Sequence, residues 1–215
     1  MDQFQFKLLA ALLMVIDHVG YVFFPDDSLW RVLGRLSFPL FAWLLVQGER
    51  YTRNILRYLR RLLILAVITQ PFYMALFEVR QFNVLVTLAI GLSMIRLARK
   101  YSALRYLVWA VGVAIAFIVP MDAGTYGLGV ILLMGMWQPS MNKLQTLRWW
   151  SFWLALHGLY VIALDFSNPI QLWAAVTPLI LYAANGQRGI RGRWFYGFYP
   201  GHIVVLLGLK WLLSS

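Results

Sequence analysis

Apolar runs long enough to cross a bilayer recur from one end of this 215-residue chain to the other, and they restrict the fold class before any motif is considered. They fall at roughly 6–24, 30–47, 55–77, 82–97, 103–120, 124–138, 147–165, 169–184 and 198–213, joined by short polar or basic connections. Hydrocarbon leaves no water to pair a backbone N–H or C=O, so only helices or a closed barrel can span it. The runs are apolar on all faces and lack the ten-residue alternation of an outer-membrane barrel. The expectation is an all-α, polytopic helical membrane protein with about nine transmembrane helices, forming one domain over 1–215. Composition agrees, with 61% hydrophobic and only 13% charged residues.

The net charge of +11 raises the question of a nucleic-acid partner, but the basic residues sit at segment ends, where they fix orientation instead. With a cytoplasmic N-terminus, the inner connections collect Arg50, Arg53, Arg57, Arg60 and Arg61, then Arg96, Arg99, Lys100 and Arg105, then Lys143 and Arg148, then Arg188, Arg191 and Arg193. The outer ones hold Asp26, Asp27, Glu78, Asp122 and Asp165, with Arg80 and Arg31 as their basic residues. This describes a multi-pass protein of the cell (inner) membrane, with membrane lipid as its surroundings and no nucleic acid. The shortest run, 124–138, is kept as a crossing because omitting it would turn Arg188, Arg191 and Arg193 outward. The first run is interrupted by Asp17-His18 and is followed by no small-residue cleavage site, so it reads as a retained helix and not as a signal peptide. Cysteine is absent, which excludes disulfides and thiolate zinc sites. The three histidines are too far apart to form a metal-ligand spacing.

Ionisable residues inside a spanning helix cost a few kcal/mol at least and mark candidate sites. The first run carries three: Lys7, Asp17 and His18. Eleven steps of about 100° return His18 nearly to the stripe of Lys7, with a rise of roughly 16 Å. Asp17 matches the depth of Arg35 in the second run, and the short connection from Pro25 to Leu29 makes the two helices antiparallel neighbours. An Asp17–Arg35 pair is therefore expected, either as a packing device or as part of a site. Asp17 diverges from His18 by about 100° and does not naturally orient its ring.

Arg57 and Arg60 form an R-x-x-R on one face at the inner end of the third run. Paired guanidiniums suit phosphate groups, although anchoring to lipid headgroups explains the same residues. His157 reads as a histidine tied to a neighbouring helix, and His202 lies near the inner aromatic interface beside Phe195, Tyr196, Phe198 and Tyr199. Trp149, Trp150, Trp194 and Tyr51 read as interfacial belt residues. No G-x-S-x-G, nucleotide-binding glycine loop or carboxylate pair is present. What remains is a histidine at depth below a basic inner mouth. That arrangement suits a coenzyme A thioester, whose phosphates would stay in the cytosol while an imidazole moves its acyl group.

Several stretches resemble the TraX family across nearly the whole chain. They are Lys7-x-x-Ala10 leading into Met14-Val15-Ile16-Asp17-His18, Arg31-x-x-Gly34-Arg35-x-x-Phe38-Pro39-Leu40-Phe41-Ala42-Trp43, Gly48-x-x-Tyr51-Thr52-Arg53-Asn54, Tyr126-Gly127-x-Gly129, and Phe195-Tyr196-x-Phe198-Tyr199-Pro200-x-His202. The founding activity of that family is acetylation of the conjugative pilin N-terminus. The family in turn resembles the wider transmembrane acyltransferases, including the acyltransferase-3 type and the lysosomal heparan glucosaminide acetyltransferases. Lys7 and His18 match the wider group's R/K-x10-H motif, and Arg57 and Arg60 match its R-x-x-R.

The resemblance implies acetyl-CoA as acyl donor, bound by Lys7, Arg57 and Arg60 with His202 on the cofactor side. It implies His18 as the catalytic histidine, with Asp17 and Arg35 shaping the outer half of the site. The acceptor would be a protein N-terminus or a saccharide reached from the outer side. Two other classes fit the same residues: a proton-coupled small-molecule transporter gated by Asp17, His18 and Arg35, and a non-catalytic membrane scaffold.

Overall fold

A computed structural model describes residues 1–138, 140–164, 169–190 and 195–214. Asp165, Arg191, Arg193 and Trp194 of the sequence reading lie outside the described residues. The helices are α1 (Gln3–Phe23), α2 (Ser28–Gly34), α3 (Ser37–Tyr51), α4 (Ile55–Phe77), α5 (Val84–Lys100), α6 (Arg105–Ile118), α7 (Gly124–Met136), α8 (Lys143–Leu164), α9 (Thr177–Leu181) and α10 (Phe195–Ser214). Among the described residues there is no strand, only an isolated bridge between Phe82 and Met121. The fold is that of an all-α membrane protein. By length and hydropathy Gln3–Phe23, Ser28–Tyr51 and Ile55–Phe77 suffice to cross a bilayer, and Ser102–Ile118, Gly124–Met136 and Pro169–Leu181 are shorter apolar helices.

Local chemistry explains where these helices start. Asp2 and Gln5 form a reciprocal capping box at α1. The side chains of Asp27, Asn54 and Asn83 cap α2, α4 and α5. Two runs expected to be continuous are broken. The second stops at Gly34 and restarts at Ser37, because Pro39 has no N–H and its ring would clash with the carbonyl of Arg35; beginning anew puts Pro39 in the first turn of α3. The eighth is a 3-10 segment over Pro169–Val176, followed by α9 with Pro178 at its start.

The chain sorts into two compact units, each built from two stretches of sequence. One unit comprises Met1–Leu44 and Gly129–Gly192. In it, the Ser37 hydroxyl donates to the Ala10 carbonyl at 2.8 Å, and Phe6 packs on Trp43 with ring centroids 5.0 Å apart. Trp149 corrects the belt reading. It is buried, stacks on Trp153 and donates its indole N–H to the Leu133 carbonyl at 2.8 Å. Inside the protein the Leu133 carbonyl takes the place of the water that a belt indole would find.

The other unit comprises Leu45–Leu128 and Arg193–Ser215. Helices α4 and α10 run parallel within it, joined by Arg61 to Tyr196 near their N-terminal ends and by Glu78 to Lys210 near their C-terminal ends. The start of α5 lies beside the middle of α4. The Asn83 amide group donates to the Ala66 carbonyl and to Gln70 Oε1, both at 2.8 Å, and Gln70 donates to the Gln81 carbonyl at 2.9 Å. Phe82 and Met121 bridge alongside, with Phe82 N–H donating to the Pro120 carbonyl and Asp122 N–H to that of Phe82. Non-helical backbone at such depth persists only when side chains and neighbouring chain satisfy it in this way.

Candidate functional site

In the unit that contains α1, the site is organised by a carboxylate. Asp17 is held by two guanidiniums. Arg35 Nη2 lies 2.7 and 2.8 Å from its two oxygens, and Arg31 Nη1 lies 2.9 Å from Oδ2 and also reaches the Asp17 carbonyl at 3.3 Å. Arg35 extends its second terminal nitrogen to Gln171 Oε1, 3.2 Å away in the 3-10 segment, and Arg31 lies over the Tyr21 ring. The cluster is mostly removed from solvent, with the Asp17 side chain 13% exposed. Gly34 makes the approach possible, since a Cβ there would run into the Asp17 carboxylate.

The Asp17–Arg35 pair forms as its matched depth suggested. Arg31 was missed as its second cation. The signal was available: Arg31 and Arg35 stand four residues apart, on one face of a helical turn. Lys7 and His18 share the uninterrupted α1, and both are half-buried. His157 is fully buried; it hydrogen-bonds the carbonyl of Trp153 one turn back at 2.8 Å and lies against that indole.

In the other unit, Arg57 and Arg60 are exposed on the first turns of α4, and Asn54 caps the helix through the Arg57 N–H at 2.8 Å. His202, on α10, stacks on Phe198 and meets Tyr199 edge-on. Its Nδ1 lies 3.0 Å from the Phe198 carbonyl, which fixes the proton there and makes Nε2 the basic nitrogen.

Sequence reading also missed Glu49. This carboxylate, with a side chain 1% exposed, sits among the basic residues and pairs with Arg99 and, at 3.6 Å, with Arg96. A lone acid immediately before the basic stretch that starts at Arg50 was the available signal; its partners, in α5, lie too far along the chain to be inferred. Among the described residues no cluster of His, Asp and Glu has a metal-binding arrangement.

Comparison with known proteins agrees with the pattern of residues. The family described as TraX protein matches residues 3–210. The chain is 33% identical, over 98% of its length and 96% of the relative's, to the probable fimbrial assembly protein FimC, serogroup H1, of Dichelobacter nodosus. No solved structure matches. A match over residues 3–210, supported by a relative similar from end to end, shows that the chain belongs to the TraX family.

Proposed function

We propose that this protein is an integral-membrane acetyltransferase that moves an acetyl group from cytosolic acetyl-CoA to an amine or hydroxyl reached from the outer side. The observation that carries the reading is the commitment of Asp17 to Arg31 and Arg35. Of the two adjacent ionisable residues on α1, Asp17 holds charge and architecture, which supports His18 as the group that moves a proton.

His18 takes the proton from the acceptor nitrogen or oxygen as that atom bonds to the thioester carbonyl carbon. The adduct collapses, the C–S bond breaks, and the departing thiolate recovers the proton from the imidazolium. In the covalent variant, the imidazole attacks first, CoA leaves, and the acetyl group passes from His18 to the acceptor. Lys7, about 16 Å nearer the start of α1, joins Arg57 and Arg60 in holding the phosphates, with His202 on the cofactor side. The relative's name, a fimbrial assembly protein, favours a pilus subunit as acceptor, through its N-terminal amine or a glycan.

The parallel course of α4 and α10 supports the proposed multi-pass topology. Two helices running the same way across a membrane need an odd number of crossings between them. The five apolar runs from 82–97 to 169–184 supply it, including the short 124–138.

The test is direct. Protein reconstituted in lipid nanodiscs receives acetyl-CoA and a peptide with a free N-terminus; thiol release and the acetylated product are followed by absorbance and mass spectrometry. The expected result is stoichiometric formation of both. Failure to acetylate any amine or hydroxyl acceptor, together with pH-driven solute flux that needs no CoA, would replace this reading with the transporter.

A further inference from the structure

Helix α4 carries a third arginine that acetyl transfer leaves aside. Arg61 opens onto a cavity of about 510 Å³ lined by Arg61, Ile64, Leu65 and Tyr196. The guanidinium lies over the Tyr196 ring at 5.5 Å and directs Nη1 to its hydroxyl at 3.5 Å, so the aromatic side chain holds the cation in place. No carboxylate pairs with Arg61 among the described residues.

Position separates the cavity into two chemistries. Arg61 ends the basic stretch that begins at Arg50, and the apolar run continues directly from Leu62. Ile64 and Leu65 lie one turn further into the slab, and Ile68 continues the same wall. Ile64 and Ile68 are half exposed, so the wall stays open on the lipid side. The mouth therefore offers an oriented cation and a hydroxyl, and the floor offers only aliphatic surface.

We infer that this groove is a binding site for an anionic phospholipid of the basic-side leaflet. The phosphate accepts hydrogen bonds from the Arg61 fork and from the Tyr196 hydroxyl, and one acyl chain covers Ile64, Leu65 and Ile68. A free phosphate would satisfy the mouth and leave the floor uncovered. A zwitterionic headgroup would bring its own cation against Arg61.

Native mass spectrometry of the full-length protein, offered equal phosphatidylglycerol and phosphatidylcholine, reads the site without reference to acetyl transfer. The wild type is expected to retain phosphatidylglycerol severalfold over phosphatidylcholine, and Arg61→Ala to lose that preference. Leu65→Trp fills the floor while keeping the charge, and is expected to lower retention of both lipids; it keeps the test open if Arg61→Ala misfolds. Equal retention of both lipids by the wild type, or an unchanged preference in Arg61→Ala, would overturn the proposal. So would displacement of bound phosphatidylglycerol by inorganic phosphate or CoA, which would give the cavity to a soluble anion.

Discussion

One nitrogen of Arg35 touches both carboxylate oxygens of Asp17, at 2.7 and 2.8 Å, while Arg31 takes Oδ2 from one turn earlier on α2. Two cations on one half-buried anion form an asymmetric unit. Removing the anion leaves two charges facing each other, whereas removing either cation leaves the other in place. Asp17→Asn is therefore expected to destabilise the protein by about 3 kcal/mol, and Arg31→Ala by less. Thermal melting in one detergent compares them. Gly34→Ala should approach the Asp17→Asn loss, because its methyl displaces the same carboxylate.

His18→Ala is expected to lower turnover by roughly 10²–10⁴-fold while leaving CoA affinity within error. Isothermal titration with CoA beside a transfer assay separates the two effects. Normal turnover in this variant would remove His18 from the mechanism.

Exposed Arg57 and Arg60 stand to contribute through phosphate contacts and little through packing. The double variant Arg57→Ala, Arg60→Ala should weaken CoA binding by roughly 1.5–3 kcal/mol, with melting temperature nearly unchanged. The salt dependence of the CoA Kd should flatten in parallel, since fewer charged contacts remain to be screened.

Glu49 predicts an inequality. Its carboxylate is buried, while Arg96 and Arg99 are 53% and 40% exposed and can turn to water. Glu49→Gln should cost about 1 kcal/mol, whereas Arg96→Ala with Arg99→Ala strands a buried anion and should cost about 3 kcal/mol. Chemical denaturation of the two variants in matched detergent measures the difference.

The hydrogen bond from Lys210, 2.6 Å away, holds the Glu78 carboxyl below the usual carboxylate range. A depressed folded pKa contributes stability above the unfolded value, lost as pH falls through the folded one. Glu78→Gln should therefore melt below the wild type at neutral pH and converge with it in acid. Melting curves across that range check the convergence; a gap that widens in acid would reverse the sign.

Patterns set by local spacing were legible in the chain itself. The antiparallel contact of the first two runs and the Asp17–Arg35 pair follow from a short connection and equal depth. The bounds of α4 follow from an apolar run ending beside polar residues. What was illegible depended on distant sequence. Glu49 finds Arg99 fifty residues on, and Gln171 reaches Arg35 from the 3-10 segment. The break after Gly34 had a local cause in Pro39, but hydropathy is blind to it, because both halves are equally apolar. Trp149 shows the same blindness: an indole near a segment end has the same signature whether it meets a headgroup or the Leu133 carbonyl.

The attachment of Asn83 to the middle of α4 bears on how the two helices stay together. Eleven steps along α4, from Ala66 to Phe77, rise about 16 Å beside the connection that leads into α5. Its hydrogen bonds come from Gln70, the Ala66 carbonyl and Pro120. Pulling α5 away from α4 would therefore strip the Asn83 amide of both its acceptors and Gln70 of its partners at once, so the two helices hold together as one hairpin.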